Sequence, residues 1–527
     1  MLVFQVSLFA QQVSVIPQPQ KVEVSNGSFT LDAKTRIVTD KASKSNAKFL
    51  QEILSPALQL KIKSKGQSGI ILQQDNQLLK ELGEEGYTLN SNSKGIIIQA
   101  ATQAGVFYGI QTLCQLLPLE LSPSSELTVQ AVSIKDRPRF SWRAYMLDES
   151  RYFQGKAFVK KMLDQMALLK MNVFHWHLTD DAGWRIEIKK YPKLTKVGAF
   201  RKDSQVGPKK WNSELLAGEP HGGFYTQKEI KEIIDYATAR NITIVPEIEM
   251  PGHASAAIAA YSWLGTVGKL TEVPIKFGKL PDSYNVTDPR VYQFIEDVLT
   301  EVMELFPGKT IHIGGDEVMF DAWKESERVQ QFMKKKGLKS PADLQVFFTN
   351  KVSNFIDKNQ HRMMGWNEIL GSNVHEWQKD SDYQVKEKLA NSAIIHLWKG
   401  SLDLVKEAVT GGYDIVNSHH VNTYLDYPYS YTPIEKAYAF DPIPEGLQKQ
   451  YHAKVLGSGC QMWTEWTPTN KDVERQTFPR LAAYAEVGWT NKDRKNYKAF
   501  RENLNPILKY WKTIDINYST NFEKKKK

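Results

Sequence analysis

Two adjacent carboxylates, Asp316 and Glu317, close the segment Ile311-His312-Ile313-Gly314-Gly315-Asp316-Glu317, which reads as a β-strand. A glutamic acid at a strand end can protonate a departing oxygen if a partly apolar, aromatic surround raises its pKa. Successive side chains on an extended strand point to opposite faces. This pair is therefore poorly placed to flank one glycosidic bond as acid and nucleophile roughly 5 Å apart. The two residues need different tasks. Glu317 would handle a proton, and Asp316 could steer a substrate group that attacks the anomeric carbon, a 2-acetamido oxygen being such a group. An acidic pair merely exposed at a strand end is the plain alternative.

Sugars are held by stacking on indole rings and by hydrogen bonds from carboxylates, Arg and His. Trp366, Trp398 and Trp463 all end apolar runs, two of them with carboxylates beside them, which favours a ligand pocket over core packing. Other runs end in Arg151, Asp180, Glu247, Glu249, His253, Tyr424, Asp426 and Glu465. His175 and His177 form an H-x-H on one strand face. With His312, His253 and Asp180 they could complete a metal site, so a metal-dependent hydrolase is a rival reading. Either histidine serves equally well as a hydrogen-bonded structural residue.

What must position these residues is a repeated βα unit. Strand-like segments fall at 140–151, 172–181, 242–253, 310–317, 362–369, 393–399, 413–426 and 455–465, with amphipathic helices between them. Thr226 and Glu229 make a capping box ahead of Ile230, Ile233, Ile234 and Ala237. A second helical stripe runs from Val291 to Leu305, before Pro307 stops it. Eight such units close into a (β/α)8 TIM barrel, in which catalytic residues gather at the C-terminal ends of the strands. The longest insertions are expected at 195–224 and 263–288. The expected division is a small N-terminal α/β domain at 13–136, a catalytic barrel at 137–495, and a C-terminal helix with a basic tail at 496–527.

The balance of 68 Lys and Arg against 59 Asp and Glu leaves +9, but the basic residues are scattered, and no nucleic-acid recognition module is present. Cys114 and Cys460 are the 2 cysteines, which excludes a disulfide framework or a multi-cysteine metal site. Residues 1–12 have the look of a signal-peptide remnant, without its basic start, and suggest a periplasmic or secreted protein. No later apolar stretch approaches the roughly 20 residues of a membrane-spanning helix. The sequence leaves the oligomeric state open.

His312-Ile313-Gly314-Gly315-Asp316-Glu317 resembles the H-x-G-G-D-E signature of the β-N-acetylhexosaminidases of glycoside hydrolase family 20. The matching stretches HWHLTDDAGWRIEIKKY (175–191), PEIEMPGH (246–253), YLDY (424–427) and WTE (463–465) strengthen the resemblance. It implies exo-acting, retaining, substrate-assisted removal of terminal β-linked N-acetylglucosamine or N-acetylgalactosamine from a glycan or chito-oligosaccharide, through an oxazolinium intermediate and without a cofactor or metal. By that analogy Glu317 is the acid and then the base, and Asp316 orients the acetamido group. Tyr424 donates to the acetamido carbonyl, while Trp366, Trp398 and Trp463 wall the pocket. Arg151, Asp426 and Glu465 bind hydroxyls at the non-reducing end, and Asp180, His253 and His312 support the acid. Ala182 stands where the family commonly has Gln, and Ser458-Gly459-Cys460-Gln461 replaces a more usual V-Q-A-N run. A barrel that binds glycans without reacting is the remaining alternative.

Overall fold

Alternating burial along β5 (Tyr87–Asn92) and β6 (Gly95–Ala100) marks a sheet with one covered face. The structure, a computed structural model, describes residues 13–123, 126–207, 211–371, 375 and 388–522; the signal-like 1–12 and the basic 524–527 lie outside them. In the N-terminal region β5 and β6 join β1 (Lys21–Thr30), β2 (Arg36–Thr39), β3 (Lys61–Lys63), β4 (Gly69–Gln74) and β7 (Thr128–Asp136). The sheet order is β1-β7-β5-β6-β4-β2-β3. Helix α1 (Lys44–Leu54) and helix α2 (Gln103–Leu116) complete this region, and the Thr102 hydroxyl caps α2 by accepting from the Gly105 N–H. Gly109 lets α2 approach the sheet closely, since a Cβ there would stand 2.4 Å from Ile98 Cγ2.

The N-terminal sheet is fastened to the barrel through buried charge. Asp136 at the end of β7 accepts hydrogen bonds from Tyr87 Oη (2.7 Å), Lys170 Nζ (3.1 Å) and Trp489 Nε1 (3.0 Å). Lys170 and Asp136 are both fully buried, and burial pulls the Lys170 ammonium below its ordinary pKa. Arg143, on a barrel strand, grips Glu85 with two nitrogens at 2.7 and 2.9 Å.

The eight predicted strands are present. They are β8 (Trp142–Asp148), β9 (Val173–His177), β10 (Thr243–Glu247), β11 (Thr310–His312), β12 (Arg362–Trp366), β13 (Ile394–Leu397), β14 (Asp414–Asn417) and β15 (Val455–Met462). All are parallel and close in sequence order, β15 pairing with β8. Every residue of β8 is buried, as expected for strands covered on both faces. The Thr226–Glu229 capping box forms as expected at the start of helix α3 (Gln227–Thr238). Helix α4 (Pro289–Leu305) starts at Asp288, which caps it, and ends before Pro307.

Register organises the barrel interior into two levels. Trp142, Ala144, Val173, Val245, Met364, Ile394 and Val416 form an apolar plug in its lower half. Pairing of Asp148 with His177, of His177 with Glu247, and of Glu247 with His312 sets a polar row at the upper end. The insertions at 195–224 and 263–288 meet one another above this row: Gln205 N donates to Ile275 O (2.7 Å) and Phe277 N donates to Gln205 Oε1 (2.9 Å).

Three expected strand ends need correction. The third strand stops at Glu247 and not His253, the seventh at Asn417 and not Asp426, and the fourth does not run to Glu317; it stops at His312. Gly314 (φ 66°), Gly315 (φ 88°) and Glu317 (φ 48°) are left-handed and turn the chain. The Glu249 carboxylate fills the place where a Gly314 Cβ would lie, 1.7 Å from its Oε2, and a Gly315 Cβ would meet Ile369 Cγ2 at 2.7 Å. The alternation of an extended strand therefore does not separate Asp316 from Glu317.

Candidate active site

The floor of the site is built around Glu247. Its Oε2 faces His175 Nε2 (2.8 Å) and His177 Nδ1 (2.6 Å); its Oε1 faces His312 Nδ1 (2.9 Å) and accepts from Trp366 Nε1 (2.9 Å). Burial alone would raise Glu247, but the surrounding histidines hold it well below the carboxylate range. Burial likewise opposes a charge on His177, yet Glu247 and Asp180 lift its pKa to about 10, so an imidazolium–carboxylate pair lies under the pocket. Burial brings His312 down to about 4, and its Nε2 lies 3.2 Å from His396 Nδ1.

Donor atoms of His175, Glu247 and His312, and of His177, Asp180 and Glu249, lie within 4.8 Å of one another, a spacing that could hold a metal ion. The two histidines of the H-x-H are instead turned onto the Glu247 carboxylate, and His177 would have to lose a strongly held proton to ligate. This arrangement favours a supporting role over the metal-hydrolase reading.

Above the floor, the turn after β11 brings Asp316 and Glu317 to one side of His253. Nε2 of that imidazole is 3.9 Å from Asp316 Oδ2 and 3.7 Å from Glu317 Oε2. Its Nδ1 faces Asp181 Oδ2 at 3.0 Å and Asp180 Oδ1 at 3.3 Å. Burial disfavours charge on His253, but Asp180 and Asp181 push its pKa well up. Glu317 Oε1 lies 3.3 Å from Lys279 Nζ and 3.9 Å from His375 Nε2. Burial raises Asp316 well above the carboxylate range, with Glu368 and Glu317 adding to it against His253. For Glu317 burial acts the same way but loses to His253, Lys279 and His375, which hold it at about 2. Asp316 Oδ1 is buried without a hydrogen-bond partner among the described residues.

Three tryptophans and a tyrosine named from the sequence lie ring beside ring. Trp366 is 6.1 Å from Trp463, Trp463 is 6.0 Å from Tyr424, and Tyr424 stacks on Trp398 at 6.1 Å with 9° between planes. Trp398 Nε1 donates to the Glu368 carboxylate (3.0 Å). At the far end Arg151 bridges Asp180 (2.8 Å) and Glu465 (3.9 Å), its guanidinium lying 5.1 Å over Trp463. Burial lifts Glu465 to about 7, with Asp148 and Asp426 contributing to the rise and Arg151 opposing it. These contacts place the expected site residues around the C-terminal ends of the barrel strands.

Several groups escaped the sequence reading. Asp181 shares His253 with Asp180 although only Asp180 was singled out; its place beside Asp180 was the available signal. Glu247 was noted as a strand-end residue but not as the hub of the floor. Glu368 ends the fifth strand beside Trp366 but was given no role, and nothing local to Lys279 or His375 announces a place beside Glu317.

A barrel with acid-bearing strand ends, indole walls and a closed polar end has the build of a glycoside hydrolase. The chain belongs to glycosyl hydrolase family 20: residues 140–492 match the family's catalytic domain and residues 12–137 its domain 2. It is 36% identical over 533 residues to a beta-hexosaminidase of Porphyromonas gingivalis, covering 98% of this chain and 65% of that protein. It thus spans about two thirds of that relative's length. A Vibrio furnissii beta-hexosaminidase is 32% identical over 501 residues, covering 92% and 77% of the two chains. Among solved structures, a mutant Streptomyces plicatus beta-hexosaminidase in complex with its product GlcNAc superimposes with a TM-score of 0.81 at 29% identity, covering 97% of each chain. The Bacteroides fragilis beta-N-acetylhexosaminidase gives 0.80 at 30% identity, over 97% and 99%.

Proposed function

We propose that this chain is an exo-acting, retaining β-N-acetylhexosaminidase that releases terminal N-acetylglucosamine, N-acetylgalactosamine or both from glycans, chito-oligosaccharides included. The observation that carries this is the shared edge of His253, where Asp316 and Glu317 arrive together at 3.9 and 3.7 Å. Two neighbouring carboxylates on one turn are poorly disposed to act on opposite faces of an anomeric carbon. Asp316 Oδ1, buried and without a hydrogen-bond partner among the described residues, is instead suited to accept the N–H of a 2-acetamido group and turn its carbonyl oxygen onto that carbon.

In this reading Tyr424 donates to the acetamido oxygen, and Glu317 protonates the glycosidic oxygen and later takes a proton from water. Arg151, Asp426 and Glu465 hold the outer hydroxyls and close the non-reducing end. His253, with Asp180 and Asp181 behind it, fixes both carboxyl groups. The test compares aryl N-acetylglucosaminide with the plain aryl glucoside, which lacks the internal nucleophile. Hydrolysis of the first with negligible turnover of the second is expected; brisk release from the glucoside would overturn the assignment.

A further inference from the structure

Glu317 presents its two carboxyl oxygens to different partners. Oε2 is turned to His253 Nε2 at 3.7 Å, on the interior side, and Oε1 is turned outward to Lys279 Nζ at 3.3 Å. Oε1 has the nearer cation, Lys279, with His375 Nε2 beside it at 3.9 Å. Lys279 lies on the inserted segment between β10 and α4. Just before it, Phe277 is locked by its N–H bond to Gln205 Oε1, and by ring contacts with Tyr152 (5.8 Å) and Trp466 (6.0 Å). Between anchor and lysine, Gly278 adopts φ 122°, a conformation that L side chains rarely reach. Lys279 thus follows an anchored ring and a glycine, its side chain 31% exposed.

We propose that Lys279 is a displaceable counter-ion of Glu317: it pairs with the carboxylate, gives way to the leaving-group sugar so that the carboxylate takes up a proton from solvent, and returns when that sugar departs. This rests on Glu317 being the proton donor. An ammonium at 3.3 Å favours the ionised carboxyl, whereas donation requires the protonated one, so the pair must open for the first step. After the proton has passed to the leaving oxygen, Glu317 is a carboxylate, and the returning lysine stabilises that form until water is deprotonated. Among the described residues the other charged or titratable groups facing Glu317 are His253, His375, Asp316 and Glu368, none of which a Lys279 substitution removes. Lys279 acts through Glu317 and is a positioning residue.

The experiment is the pH profile of kcat/KM for chitobiose with the whole chain, wild type beside Lys279→Met, Lys279→Arg and Glu317→Gln, unfolding midpoints being measured in parallel. With the cation gone, Glu317 keeps its proton to higher pH. The alkaline limb of Lys279→Met should therefore move upward by about one pH unit, roughly a tenfold gain on that limb, and Lys279→Arg should restore the wild-type limb. A limb unmoved in Lys279→Met, while Glu317→Gln is inactive on chitobiose, removes the role of the lysine alone. Wild-type turnover of chitobiose by Glu317→Gln removes the acid assignment and this proposal with it.

Discussion

Glu317 and His253 face one another across 3.7 Å, each from a left-handed backbone, φ 48° and φ 47°. Such conformations cost on the order of 1–3 kcal/mol for residues with a side chain and persist where packing over-determines them. Here Asp180 and Asp181 fix the imidazole from behind, and the Gly314-Gly315 turn fixes the carboxylate. The placement of the proposed acid is thus set by backbone and by charge together.

Glu317→Gln should lower kcat/KM on chitobiose by about 10²–10⁴-fold and on an activated aryl glycoside much less, because a good leaving group needs little proton assistance. Asp316→Asn should damage both substrates, since ring closure by the acetamide precedes departure of either. Steady-state kinetics on the two substrates check this. Equal losses in Glu317→Gln would sink the division of labour.

Gly314→Ala tests the turn. A Cβ would fall 1.7 Å from Glu249 Oε2, so the turn or Glu249 must shift. Displacement of Asp316 and Glu317 by even about 1 Å should cost on the order of 10²-fold in kcat. Activity assays paired with a thermal melt read the result; a fully active variant would show that the contact yields easily.

Asp136→Ala should destabilise the chain by about 3–5 kcal/mol, because it leaves the Lys170 ammonium buried without its carboxylate. Chemical denaturation followed by tryptophan fluorescence is the measurement. A loss below about 1 kcal/mol would mean that Lys170 finds another partner or water.

The barrel was legible because its strands are short apolar runs ending in polar clusters, and because helix starts such as Thr226–Glu229 carry their own capping chemistry. The pocket residues were legible because they cluster at those ends. The end of the fourth strand was not: Gly314 and Gly315 permit a turn, but the Glu249 carboxylate that occupies the space beside Gly314 comes from another loop. The same holds for His175 and His177, whose spacing suits a metal as well as a carboxylate until Glu247 is seen between them. Lys279 reaches Glu317 only because Gln205 and Phe277 carry its loop there. Long-range partners of this kind leave no local periodicity to read.

The join between the two insertions has a bearing on redesign. A single amide, that of Gln205, receives the Phe277 N–H at its oxygen and directs its nitrogen to the carbonyls of Trp211 and Ser213. The segments 200–207, 211–222 and 273–279 are therefore tied to one another at Gln205. A graft that transplanted either half alone would lose its mate, and a graft that moved both together would also exchange Lys279, the cation beside Glu317.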